Sequence, residues 1–256
     1  MIRGEGIGLK TNLFHLTNIP TSKGNWQLTY MLGGIPDHDK VALERTSANL
    51  TASGTTGSWK ALKETIASLS PSGGTLTLSG TFKATSGDDS GEIIVRKVLT
   101  IDGGSSAVID ADNKCRIFRV EVALTLKDIT LINGNAIGDS SDKNGGGVYV
   151  TSAGQFTMKG KTRIVPPGVP PIAGINDVYL KNERTITVED ALTGTVPVAR
   201  ITPETYSPTT QVLDGDITAG TAPNQNYKKF TVTPEGFGGG ATQEWEVDEN
   251  GKLKTQ

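Results

Sequence analysis

The feature that most constrains this chain is a recurring triplet in which two apolar residues flank a middle residue that is usually polar. From residue 75 onward it appears as Leu76-Thr77-Leu78, Leu99-Thr100-Ile101, Phe118-Arg119-Val120, Leu124-Thr125-Leu126, Ile129-Thr130-Leu131, Val148-Tyr149-Val150 and Phe156-Thr157-Met158. Alternation over so few residues is the mark of a short strand with one face buried. Between the triplets lie runs of Gly, Asn, Asp and Ser, such as DGGSS at 102–106 and NGNAIGDSSDKNGGG at 133–147. These residues tolerate left-handed backbone angles and sharp corners. The pairs also recur. Phe118/Val120 returns about 30 residues later as Val148/Val150, and Leu124/Leu126 about 32 later as Phe156/Met158, so one unit is a coil of roughly 25 to 32 residues with up to three strands.

Such a coil cannot bury its inward side chains alone and must stack on its neighbours, which predicts an all-β parallel solenoid with strand ladders running along its axis. Open end coils need caps. SWKALKETIASLS at 58–70 supplies one, because Trp59, Leu62, Ile66 and Leu69 share a helical face and Ser58 stands at the N-cap position. Pro71 and Gly73-Gly74 end that helix. The Pro-rich VPPGVPPIAG at 165–174 marks a boundary or a large corner. Short strands resume at 178–180, 185–188, 196–201, 211–213 and 230–232. The last, 245–247, leads into Asn250-Gly251, which reads as a two-residue hairpin turn. The expected organisation is a β-rich or irregular segment over 1–57, the helix and repeats over 58–164, and a β segment over 165–256 that continues or caps the solenoid. Within the first segment, 26–30 and 40–44 form two strands around a GGIPDHD turn, and 46–57 is a polar linker.

Composition narrows the function. With 25 basic and 27 acidic residues the net charge is −2, which gives no bulk electrostatic reason for a nucleic-acid partner. Thirty-two glycines stand against three Trp, five Tyr and six Phe, consistent with a narrow core and many corners. The single cysteine, Cys115, excludes an intramolecular disulfide, and with two histidines it leaves too few soft ligands for structural zinc. No run is long and apolar enough for a membrane helix, so no integral membrane segment is expected. The start, MIRGEGIGLKTNLFHLTNIP, has no continuous apolar export core, so the chain is expected either to stay inside the cell or to have its true start upstream.

The run from Trp59 to Ile164, with SGGTLTLSGTFKA, GEIIVRKVLTIDG, RIFRVEVALTLKDITLINGNA, GGGVYV and QFTMKG, resembles the right-handed parallel β-helix repeats of bacterial cell-surface proteins. It is most similar to treponemal surface antigens and more distantly to chlamydial polymorphic outer-membrane proteins, and the tail from NDVYLKNERTITV to EWEVDENGKLK is similar to the closing segment of the treponemal group. Unlike the chlamydial type, the sequence has about one GGGVYV and ends in Lys-Thr-Gln. The resemblance implies a right-handed β-helix placed at the cell surface or outside the cell.

β-Helices also carry polysaccharide lyases and glycoside hydrolases, which need paired carboxyls at defined separation. Asp88-Asp89 and Asp110/Asp112 are the available pairs, and Asp102, Asp110 and Asp112 beside Lys114 or Arg116 are the residues from which a lyase calcium site would be built. The NTD-like, Gly-His-Gly and Arg-Ile-Lys motifs of the pectin-degrading hydrolases are missing from 59–164, and His15 and His38 lie outside the repeat. Solvated corners account for those aspartates. Asp214-Gly215-Asp216 is half a calcium loop without its remaining ligands. Gly145-Gly146-Gly147 enters a strand without a following Lys-Ser/Thr, which fits a tight corner and not a phosphate loop. The Asn49-Leu50-Thr51 sequon carries little meaning here.

The expected function is therefore a non-enzymatic surface or secreted solenoid, adhesive or structural, with no cofactor and no metal. A polysaccharide lyase or glycoside hydrolase is the alternative, and a silent, unexported family member a third possibility. The longest corner supplies the candidate binding residues Asn133, Asn135, Asp139, Asp142, Lys143 and Asn144, with a host matrix protein or glycan as partner.

Overall fold

A computed structural model describes residues 26–31, 40–52, 56–137, 144–166, 168, 172–236 and 242–256. In chain order, β1 (Trp26–Met31) and β2 (Lys40–Arg45) form an antiparallel pair; the turn expected between them lies outside the described residues. Coils follow. The first holds β3 (Ser47–Thr51), β4 (Gly57–Ser58) and the helix α1 (Trp59–Ala67); the second β5 (Gly74–Ser79), β6 (Thr81–Lys83) and β7 (Ile93–Val95). In the third, β8 (Val98–Asp110) bends around a corner before β9 (Phe118–Val120), and in the fourth β10 (Ala123–Ile132) does the same before β11 (Val148–Val150). The fifth has β12 (Gln155–Lys159), β13 (Arg163–Ile164) and β14 (Val178–Leu180), the sixth β15 (Ile186–Glu189) and β16 (Ala199–Pro203). β17 (Leu213–Gly215) and β18 (Phe230–Val232) begin a last coil, closed by the antiparallel hairpin β19 (Trp245–Val247) and β20 (Leu253–Thr255).

The coils stack into a parallel β-solenoid of about six turns. One wall runs β3-β5-β8-β10-β12-β15-β17, and another runs β7-β9-β11-β14-β16-β18. Between them a shorter wall joins β4, β6, the second halves of β8 and β10, and β13. The two expected recurrences are strand partners: Val148 faces Phe118 and Val150 faces Val120, while Phe156 faces Leu124 and Met158 faces Leu126. Columns such as Leu76-Ile101-Leu126-Met158-Val188 fill the interior. Each fully buried aliphatic side chain in such a column contributes about 1.5 to 3 kcal/mol. One triplet is out of step. Leu76-Thr77-Leu78 is displaced by two residues, so that Leu76 meets Ile101 and Thr75 meets Thr100.

Corners are set by backbone chirality. At the bend from the first wall to the next, successive coils place Gly80, Gly104, Asp128, Gly160 and Asp190 at positive φ. At Gly160, φ 62°, an added Cβ would lie 2.3 Å from Asp128 Oδ1, so a side chain there would push the Asp128 carboxylate off the Lys161 N–H that it accepts from. The helix forms where expected. Ser58 accepts from the Ala61 N–H, and Trp59, Leu62 and Ile66 are buried. It takes in the first coil the place that β7, β9 and β11 take in later coils, and lies beside β7. Lys97 Nζ donates to the carbonyls of Ile66, Ala67 and Leu69 at the C-terminal end of the helix, where Ile66 O also accepts from the Leu69 N–H.

Four local expectations change. Residues 47–51, expected as linker, form the first solenoid strand, pairing Ser47 with Thr75 through Thr51 with Ser79 and burying Ala48. The strand expected over 196–201 begins at Ala199 and that expected over 211–213 begins at Leu213, because Val196-Pro197 and Gln211 belong to corners. The closing hairpin does not turn on two residues: Gly251 N–H donates to Asp248 O, Asp248 N–H to Lys252 O, and of the Asn-Gly pair only Gly251 has positive φ. Three residues, 249–251, make the turn. Asp248 holds it by accepting from the Asn250 and Lys252 N–H groups.

Candidate functional site

The corner from Asn133 to Gly147 joins β10 to β11, and both of its ends are fastened to neighbouring coils. Asn133 adopts φ 57° and is exposed, and its amide donates to Asp110 Oδ1 at 2.8 Å. Asn135 is half-buried: its N–H donates to Cys115 O, its Oδ1 accepts from Ile137 N–H, and it bridges Ile175 on the following coil. At the other end Asn144 O and Gly145 O accept from Arg116, whose guanidinium also meets Glu92 at 2.6 Å and lies 4.9 Å from the Tyr149 ring. Asp139, Asp142 and Lys143 lie outside the described residues. Thus Asn133, Asn135 and Asn144 belong to the roots of the corner.

The three glycines before β11 pass between two coils. A Cβ on Gly146 would sit 2.2 Å from Gly174 O, so no side chain fits. Two residues that sequence reasoning missed hold this crossing. Asn176, buried, accepts from Gly134 N–H and donates to Leu131 O and Val165 O. Asp177, fully buried, accepts from Gly146 N–H, Gly174 N–H and the Thr202 hydroxyl. Their only signal was an Asn-Asp doublet directly before Val178-Tyr179-Leu180, in register with Gly146-Gly147. On the outer side Tyr149 stacks on Tyr179 at 5.1 Å.

Four of the carboxylates considered for catalysis, Asp89, Asp102, Asp110 and Asp112, have structural partners, while the Asp88 side chain lies outside the described ones. Asp89, expected as a solvated corner, accepts from the Ser58 hydroxyl, Lys60 N–H and Thr85 hydroxyl, which ties it to the helix N-terminus. Asp110 is also not a solvated corner: it is 9% exposed and accepts from Asp112 N–H and Asn133. Asp112 pairs with Lys83 at 2.8 Å and Lys114 at 3.4 Å; the Lys83 hydrogen bond, opposed by desolvation, holds its carboxyl below the usual range. Asp102 pairs with Lys127. Among the described residues no group of three or more His, Cys, Asp or Glu is placed to hold a metal. A hollow of about 300 Å³ at the foot of the corner is lined by Glu92, Asn113, Lys114, Cys115, Arg116 and Asn135. Burial pushes the Cys115 thiol up, which keeps it protonated and poorly nucleophilic.

Comparison of the chain with known families, curated proteins and solved structures found no match. Among the described residues no helix is long and apolar enough to cross a membrane.

Proposed function

We propose that this solenoid is a non-enzymatic binding or spacing element, displayed on a cell surface or secreted, that meets a host matrix protein or glycan through the 133–147 corner. The observation that carries this reading is the footing beneath the corner. Arg116 from the coil before and Asn176 and Asp177 from the coil after grip its two ends through buried hydrogen bonds. A long corner on a rigid base is how scaffolds present contact residues. The partnered state of Asp89, Asp102, Asp110 and Asp112 supports the non-enzymatic reading, because each is occupied in holding coils together. Surface placement rests on the resemblance of GGGVYV, QFTMKG and the tail to treponemal surface antigens.

The test replaces 138–143 by a Gly-Ser stretch of equal length, leaving Asn133, Asn135 and Asn144 in place, and measures retention on immobilised collagen, laminin and fibronectin. Retention is expected to fall about tenfold, the loss of one or two good polar contacts, with the far-ultraviolet circular dichroism unchanged. Undiminished retention would remove the corner as the contact surface.

A further inference from the structure

The outer face of the first wall carries a second feature, separate from the corner. Strand register places Thr75, Thr100, Thr125, Thr157 and Thr187 in one unbroken row across five coils. Successive hydroxyls are therefore spaced by the strand separation, about 4.8 Å. None of the five takes part in a side-chain hydrogen bond among the described residues. Asp214 occupies the next position and ends the row. Alongside runs a charged row, Asp102-Lys127-Lys159-Glu189, in which Lys127 pairs with Asp102 and Lys159 with Glu189 and Asp190.

At the downstream end the row opens into a hollow of about 310 Å³ lined by Gln155, Thr157, Arg184, Thr185 and Thr187. Gly154 forms part of its wall, and a Cβ there would strike Val120 O at 2.3 Å. Arg184 enters from a corner in which Asn182 and Glu183 both take positive φ. Its Nε is buried without a hydrogen-bond partner among the described residues. Arg119 and Arg200 share that state of Nε, but Arg184 also lines an open hollow and is half-exposed, so a ligand acceptor reaches its guanidinium through the terminal nitrogens.

We propose that this face binds an acidic polysaccharide lying along the solenoid axis, its hydroxyls meeting the threonine row and a carboxylate or sulfate meeting Arg184. The inference rests on the reading of the chain as a binding solenoid and names the ligand class and a site distinct from the corner. The geometry favours this occupant in two respects. An extended β-linked glycan advances by one sugar over nearly the spacing of one coil, so each sugar meets an equivalent hydroxyl. The neighbouring lysines are already paired, which leaves Arg184 as the cation to select an anionic group, and guanidinium matches carboxylate and sulfate geometry.

The experiment measures binding of the full chain to hyaluronan, chondroitin sulfate and neutral dextran by calorimetry at low salt. Hyaluronan offers carboxylate alone and chondroitin sulfate both groups. Binding to either polyanion and not to dextran is expected, weakening about tenfold in Arg184→Ala and less in Arg184→Lys. Thr157→Val and Thr187→Val, which keep shape and remove the hydroxyl, are expected to weaken it several-fold. Thermal melts of each variant check that the coils are intact. Absence of binding to both polyanions, equal binding of dextran, or wild-type affinity in Arg184→Ala would overturn the proposal. The 138–143 replacement separates the two sites: it is expected to bind the polyanion normally, and if it alone loses binding this inference falls while the corner reading stands.

Discussion

At Asp89 a carboxylate caps a helix whose first residues lie about 30 positions earlier in the chain. Burial works against its charge, but bonds from the Lys60 N–H, the Ser58 and Thr85 hydroxyls and the Trp59 N–H outweigh it and hold the carboxyl below the usual range. A depressed folded-state pKa gives stability that is present above the unfolded value of about 3.9 and lost as pH falls through the lower folded value. Asp89→Asn is therefore expected to cost about 1 kcal/mol at pH 7, with the gap from wild type closing at pH 3. Urea unfolding at the two pH values checks this, and an equal gap at both would contradict it. Residue type alone does not disclose such a role. Asn, Asp and Gly mark corners reliably, but whether a corner carboxylate faces water or a neighbouring coil depends on which coil lies above it. Asp110, Asn176 and Asp177 were illegible for that reason.

Among elements, those with alternating apolar residues were readable in position and in partner. β9, β11, β10 and β12 announce themselves because inward residues must be apolar on every coil they meet. β3 did not, since SANLT offers only Ala48 and Leu50 to the interior. The displaced triplet at 76–78 shows the same limit, because a continuous apolar-polar alternation fits two registers and the turn before it decides. Thr75, the first member of the threonine row, lies just outside that triplet, so the triplets alone do not disclose the row. Inward positions carry the energy: Leu126 lies between Ile101 and Met158 and has no exposed surface. Leu126→Ala is expected to destabilise by about 2 to 5 kcal/mol, measured by denaturant unfolding. A loss under 1 kcal/mol would mean that the interior collapses around the gap.

For the molecule as a whole, the two ends of the stack are managed differently. At one end α1 stands in place of a strand beside β7. At the other, the closing hairpin lies against β18, with Leu213 N–H donating to Gly251 O and Leu253 N–H to Thr210 O. Trp245, Val247 and Leu253 are buried there. Removing 242–256 bares the last strands and is expected to produce concentration-dependent self-association, because unpaired strand edges recruit further strands. Sedimentation velocity over a tenfold concentration range would detect it, and a persistent monomer would show that the hairpin is dispensable as a stopper. Because antiparallel pairing ends the stack, lengthening by appended repeats is blocked, and a new coil has to enter from within. A tandem copy of the stretch from β12 to the residue before β15 would slot between existing coils, carry its own left-handed corner at the copy of Gly160, and add one hydroxyl to the row at the copy of Thr157. The architecture thus makes internal duplication the open route by which such a chain can change its reach.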